Sequence, residues 1–454
     1  MDQSKSKTKA IGRGLVIWLV CMTLYVAYVL FHLDYSLGFV NVMIAGIAFA
    51  VFIYAVFDVS KNGLRVYTSF LVTYFIFLFF NNLNLSAMQV EKNLVDIYYF
   101  IFLPLVFTLP FASLDKRVDF RRGGESRRLE SGISFLDLVT IVLIVLYLYI
   151  RFTSIGKTGL RFLSPGFDAE VASEIGASGE GTGLSTCLMW TIIMLIPSVR
   201  NKYIKLFSMA IILFTCIFLL KRGSMIKVLF FFVCYALVEI GPIRLSRKTF
   251  LIFLVIVLVG GYFFALWGDN RQKARGASSD YSVSSVMRSR VDNDTISWIY
   301  AYTALNYDVL KQFAIDGEPT GEFNELLKPV NRLIYGNQIY EETDFDFSQS
   351  LNGFNSATFL TPFVKELGPY SMLSIVLLGF IIRLLIYFSA TCNARGVYAM
   401  LVSNAGLAFF GNSFSTPTVA YAIVAALAVC CVESLLASPA RSSHSNCMKV
   451  LKGR

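Results

Sequence analysis

Four consecutive residues, Lys221-Arg222-Gly223-Ser224, interrupt a hydrophobic tract that runs from Tyr203 to Ile240. Leu219-Leu220 closes one membrane-length run and Met225-Ile226 opens the next, so the tetrad reads as a tight turn between two helices. Free backbone N–H groups and the positive end of the dipole favour an anion at such a helix start, and a guanidinium adds a two-point grip suited to phosphate. Arginine also keeps its charge where a lysine can lose it. The charges of the other loops put this turn on the outer face, where cations are least expected. The plain alternative is that Lys221 and Arg222 reach lipid headgroups as an anchor. Arg151 and Arg161, flanking a Gly/Ser-rich outer segment, and Arg271 and Arg275, in the basic start of a longer one, are further candidates for the same anion site.

Carboxylates and rings supply the remaining chemistry. Asp344, Asp346 and Glu366 are candidate proton acceptors, with ordinary solvated acids as the alternative for each. Asp344-Phe345-Asp346 is an Asp-x-Asp of the long outer segment, which holds no histidine; the chain's two histidines are His32 and His444. Two acids on an irregular chain make a poor metal site, so neither a metal nor another cofactor is expected. Trp298, Tyr300 and Tyr335 offer faces to a sugar, although packing at a membrane interface explains them nearly as well. The absence of a GxxxxGK[ST] loop argues against ATP-driven transport.

These residues must be positioned by membrane helices. Of 454 residues 56% are hydrophobic, and the mean hydropathy is +0.62. Apolar runs predict an all-α polytopic membrane protein of about twelve spans. They lie near 11–31, 37–57, 65–81, 96–113, 134–151, 183–199, 203–220, 223–240, 249–267, 370–390, 397–411 and 417–437. The Lys/Arg clusters of the N-terminus, of 116–128, 200–205 and 244–248 and of the tail, with Arg395, then all fall on one side, which sets that side as cytoplasmic and explains most of the +10 charge without nucleic acid. The chain divides into a nine-span bundle (1–267), a large outer loop (268–369), three last spans (370–437) and a cytoplasmic tail (438–454). Eight cysteines without a CxxC pair indicate neither a disulfide framework nor a zinc site.

The large loop, from Asp269 to Pro369, carries nine basic and fourteen acidic side chains, opposite in balance to the rest of the chain. Asp294-Thr295 predicts the N-cap of an apolar-aromatic helix reaching about Phe313, expected to lie on the membrane surface. From Glu322 onwards the loop is acidic and aromatic, a composition suited to a lid over the bundle or to the lining of a sugar cleft.

The stretch Leu351 to Pro369 contains Asn352, then Asn355-Ser356-Ala357-Thr358-Phe359-Leu360, and closes with Gly368 ahead of a hydrophobic span. With the Lys-Arg-Gly-Ser turn and one dominant outer loop late in the chain, it resembles the Wzy-type O-antigen and capsular repeat-unit polymerases. The likeness covers nearly the whole layout but specific residues only in those two places. It implies a GT-C-like glycosyltransferase of the bacterial inner membrane, facing the periplasm. Its partners would be undecaprenyl-pyrophosphate-linked donor and acceptor glycans and membrane lipids, with room for a chain-length regulator protein. Asn352 and Asn355 join the aromatic residues as candidate glycan contacts. The rival readings are a flippase for the same lipid-linked glycans, against which the long loop speaks, and an O-antigen ligase, whose large loop carries a histidine.

Overall fold

A backbone in lipid must satisfy its hydrogen bonds within itself, and an apolar chain cut by short polar turns does so as helices. The computed structural model describes residues 38–86, 89–118, 134–156, 182–218, 222–241, 294–335 and 357–436. These residues form helices and no strand element. In chain order the first are α1 (Phe39–Asn62), α2 (Val66–Asn81), α3 (Leu103–Asp115, entered through a wide turn at Tyr98–Phe102), α4 (Phe135–Gly156), α5 (Thr182–Leu195), α6 (Lys202–Phe218) and α7 (Arg222–Ile240). The large loop contributes α8 (Asp294–Ala304), α9 (Asn306–Val309, continued by a wide turn at Leu310–Ile315) and α10 (Lys328–Tyr335). The chain ends with α11 (Leu360–Leu367), α12 (Ser371–Thr391), α13 (Arg395–Gly406) and α14 (Pro417–Leu436).

Four stretches are long and apolar enough to cross a membrane among the described residues: Phe39–Asn62, Tyr98–Asp115, Leu360–Thr391 and Pro417–Leu436. The third is broken. Gly368 has φ +54°, a conformation that other residues rarely adopt, and it turns the chain between α11 and α12. Ten of the expected spans coincide with helices; 11–31 and 249–267 lie outside the described residues.

The helix ends sort onto two faces. At one, Asp115 accepts hydrogen bonds from the Tyr67 backbone N–H (2.9 Å) and the Tyr398 hydroxyl (2.6 Å). Arg200 pairs with Glu433 there (2.9 Å) and Arg395 with Glu239 (3.0 Å). Gly63 and Gly241 meet at the same end, closely enough that a Cβ on Gly63 would stand 2.9 Å from Gly241 backbone. Cys392 and Cys431 are bonded there, with Cα atoms 5.0 Å apart. That pair corrects the expectation from cysteine spacing, because α12 and α14 both end at this face and bring together residues 39 apart in sequence. The opposite face collects the large-loop elements.

Those elements enter the bundle. Tyr307 is fully buried, its hydroxyl donates to the Tyr74 carbonyl of α2, and its ring lies 5.2 Å from that of Tyr74. The segment expected to rest as a helix on the membrane surface is therefore inserted between helices. Buried polar groups hold it. Asn81 donates to the Ala304 carbonyl (2.8 Å) and to Asp308, and buried Lys92 lies 3.5 Å from Asp308. Lys311 bridges Asp96 (3.1 Å) and Asp316 (2.6 Å). Burial works against the Lys311 charge, but the bonds from Asp316 and Asp96 outweigh it and its pKa is raised.

A second insertion reaches deeper. Phe359 is fully buried, with ring centroids 4.8 Å from Phe107, 5.4 Å from Phe70 and 6.1 Å from Tyr74. A Cβ on Gly379 would stand 2.8 Å from the Phe107 carbonyl oxygen, so α12 packs on α3 at this same depth. The chain thus climbs from Phe359, packed on Phe107, through α11 to Pro369, where the Tyr98 hydroxyl donates to its carbonyl (2.9 Å), and returns down α12. Segment 357–370 is re-entrant.

This insertion explains why the span expected at 397–411 is shorter. α13 has 12 residues, about 18 Å long, against a hydrocarbon core of about 30 Å. Gly396 to Gly406 are all buried. A Cβ on Gly396 would stand 1.9 Å from the Met194 carbonyl oxygen of α5, a backbone approach open only to glycine. Beyond Gly406 the helix gives way to irregular chain, and the Phe359 N–H donates to the Ala408 carbonyl (2.8 Å). Irregular backbone at membrane depth survives where protein buries it or where it lines a polar cavity.

Candidate functional site

The irregular segment between α13 and α14 is where polar side chains converge. Asn412 donates to Glu325 (2.7 Å) and to the Ser415 hydroxyl (2.8 Å). Glu325 is buried and lies 3.6 Å from Lys328. Its backbone N–H (2.7 Å) and that of Asn324 (3.0 Å) donate to one carboxylate oxygen of Glu366. The other Glu366 oxygen is buried and accepts no hydrogen bond among the described residues. Glu366 sits at the upper end of α11 because its helix leaves the bundle there, and loop residues Thr320 and Gly321 close on it by donating to the Lys365 (3.0 Å) and Glu366 (2.9 Å) carbonyls.

The next residue, Ser413, faces the other way along this chain of contacts. Its hydroxyl lies 3.5 Å from the Lys227 ammonium of α7, at the limit of a hydrogen bond. Lys227 is half-buried, five residues on from Arg222, or about 7.5 Å along the helix. No described carboxylate lies within ion-pairing distance of it. One turn further on, Phe230 packs where a Cβ on Gly406 would stand, so this side of α7 faces the end of α13. A cation on a largely apolar helix, aimed at irregular backbone, is a candidate for a place on an anion or substrate path.

Arg222, Gly223 and Ser224 form the first turn of α7, so the helix begins within the Lys-Arg-Gly-Ser tetrad. Arg151 is buried near the large-loop end of α4, 5.7 Å above the Tyr147 ring, and its Nε has no hydrogen-bond partner among the described residues. Glu366 lies in the network just described. Tyr300 is buried, and its hydroxyl donates to Gln89 (2.7 Å), so its ring is packed against α2 and not presented to a ligand. Tyr335 is exposed at the end of α10, and Trp298 lies within α8. Lys221, Arg161, Arg271, Arg275, Asp344, Asp346, Asn352 and Asn355 fall outside the described residues. Among those described, no three His, Cys, Asp or Glu side chains converge as metal ligands.

Sequence reading missed Lys227, Glu325 and Asn412. Lys227 left a sign, a cation inside an apolar run, but the Lys221-Arg222 pair beside it drew the attention. Glu325 and Asn412 left none, since 87 residues separate them.

The fold and these polar groups define an all-helical chain with membrane-length helices, in which loop segments re-enter the bundle and gather carboxylates and a lysine near one end. No family model, characterised protein or solved structure matches the chain.

Proposed function

We propose that this chain is a polymerase that joins undecaprenyl-pyrophosphate-linked oligosaccharide repeats on the large-loop side of a bacterial inner membrane, as a GT-C-like glycosyltransferase of about twelve spans. The observation that carries the reading is the polar run Glu366–Glu325–Asn412, continued by the adjacent Ser413 to Lys227, which sets carboxylates and a cation along one path at the end of the bundle where α7 begins. In the reaction, the hydroxyl oxygen of the acceptor's terminal sugar attacks the anomeric carbon of the donor glycan. The bond from that carbon to the pyrophosphate breaks, and the lipid pyrophosphate leaves with the electron pair. The hydroxyl proton passes to a carboxylate, for which Glu366 is the candidate: one oxygen is held by two backbone N–H groups, and the other is buried with no hydrogen-bond partner among the described residues. Charge grows on the pyrophosphate as it departs, so fixed cations there lower the barrier. Arg222 at the helix start and Lys227 below it fill this role without a metal.

The reading is tested by deletion in the native cell. Loss of a polymerase leaves a surface glycan one repeat long on its lipid acceptor, whereas loss of a flippase or ligase leaves no such glycan. A single-repeat ladder supports the proposal, and complete absence of glycan overturns it.

A further inference from the structure

α10 carries its polarity inside out. Lys328, Asn331 and Arg332 are turned towards the protein and half-buried. Leu327, Val330, Leu333, Ile334 and Tyr335 are exposed, Leu333 to 75%. A helix facing water on its free side would show the reverse pattern. The inward side is firmly fixed. Lys328 lies 3.6 Å from Glu325, the Tyr421 hydroxyl donates to the Pro329 carbonyl (2.6 Å), and the Arg332 guanidinium lies 3.8 Å from where a Cβ on Gly183 would stand.

Those attachments also set its depth. Gly183 is the second residue of α5 and Tyr421 the fifth of α14, so α10 lies across the large-loop ends of two membrane helices, about one turn in from the tip of α14. Val424, one turn below Tyr421 on the same side of α14, is 63% exposed. The free apolar side of α10 therefore continues the apolar outer surface of α14.

We infer that α10 is an interfacial helix whose Val330, Leu333 and Ile334 side is buried among the lipid chains of the leaflet at the large-loop end. The occupant is bilayer lipid, because the exposed surface is apolar, continuous with a membrane helix, and level with its end. An amphipathic helix of this kind sits about 5–10 Å into the boundary between headgroups and chains. The leaflet thereby holds the segment that begins at Asn324 and Glu325, whose N–H groups anchor Glu366. This inference needs the bundle to lie in a membrane and is independent of the glycan reading.

The test uses the full chain with Leu333→Trp, and separately Val330→Trp, in phosphatidylethanolamine–phosphatidylglycerol vesicles. Emission is taken as the difference from the unsubstituted protein, and Glu318→Trp in the exposed loop serves as a water-facing control. Lipids brominated near the headgroup end of their chains should quench the added emission on the order of twofold or more, and more than lipids brominated near the chain ends. The Glu318→Trp signal should respond to aqueous iodide instead. Iodide quenching at both α10 positions would place the helix in water. Resistance to both quenchers would place protein over it, a second copy included. Either result overturns the inference.

Discussion

Arg222→Ala is expected to abolish polymer while leaving the amount of membrane protein and the single-repeat glycan unchanged. Arg222 begins α7, so an anion there meets the unpaired N–H groups of the first turn and the positive end of the helix dipole. Removing one fixed donor from such a site costs about 10²–10³ in rate, enough to empty the long-chain ladder of a gel. Arg222→Lys is expected to remain poor, because an ammonium cannot reproduce the guanidinium's parallel pair of hydrogen bonds to phosphate. Chain-length profiles and immunoblots of membranes read both variants. Normal-length chains from Arg222→Ala would leave the turn as a headgroup anchor.

Glu366→Gln is expected to lower polymerisation about 10²–10⁴-fold, the range of a lost general base. The amide is the same shape, and its carbonyl oxygen still accepts from the Asn324 and Glu325 N–H groups that now meet Glu366. The fold is therefore kept while the proton acceptor is lost. Glu366→Ala, by contrast, leaves two N–H groups unpaired and lowers the melting temperature as well. A Gln variant with full activity and an Ala variant without it would assign Glu366 to holding the loop, and the proton would go elsewhere.

Much of the helix layout was legible because long apolar runs favour helices, although only four stretches among the described residues are long and apolar enough to cross a membrane. The ten helices that fall at expected spans needed no packing information. α13 shows the limit of that signal. Its helix is less apolar than the longer ones, with Ser403 and Asn404 in its last turn, and it stops at Gly406, where Phe359 enters beside it and takes the Ala408 carbonyl as partner. Hydropathy does not register which helix is surrounded by protein. The loop insertions were illegible for the same reason. Tyr307 and Phe359 stood out as aromatic residues in an acidic loop, a pattern equally suited to a membrane surface, and only tertiary contacts with Tyr74 and Phe107 put them inside.

The site was legible by residue type and illegible by arrangement. Glu366 is one of three carboxylates, with Asp344 and Asp346, that the sequence offers near the Leu351–Pro369 stretch, and it lies at the upper end of α11. Its neighbours Glu325 and Asn412 come from segments far apart in the chain, joined by a re-entrant path that no spacing encodes. Lys227 is the opposite case, since its place in an apolar run was visible in the sequence.

Purified protein given lipid-pyrophosphate-linked repeats in the presence of EDTA tests the central claim most directly. If Arg222 and Lys227 neutralise the departing pyrophosphate, the permanent charge of the arginine at the helix start needs no ion between it and the phosphate. Chains of several repeats should then form at the same rate with and without the chelator. Failure to form them with EDTA, reversed by Mg²⁺ or Mn²⁺, would contradict a cation-only mechanism and turn attention to Asp344 and Asp346. Failure under every condition would contradict polymerisation itself.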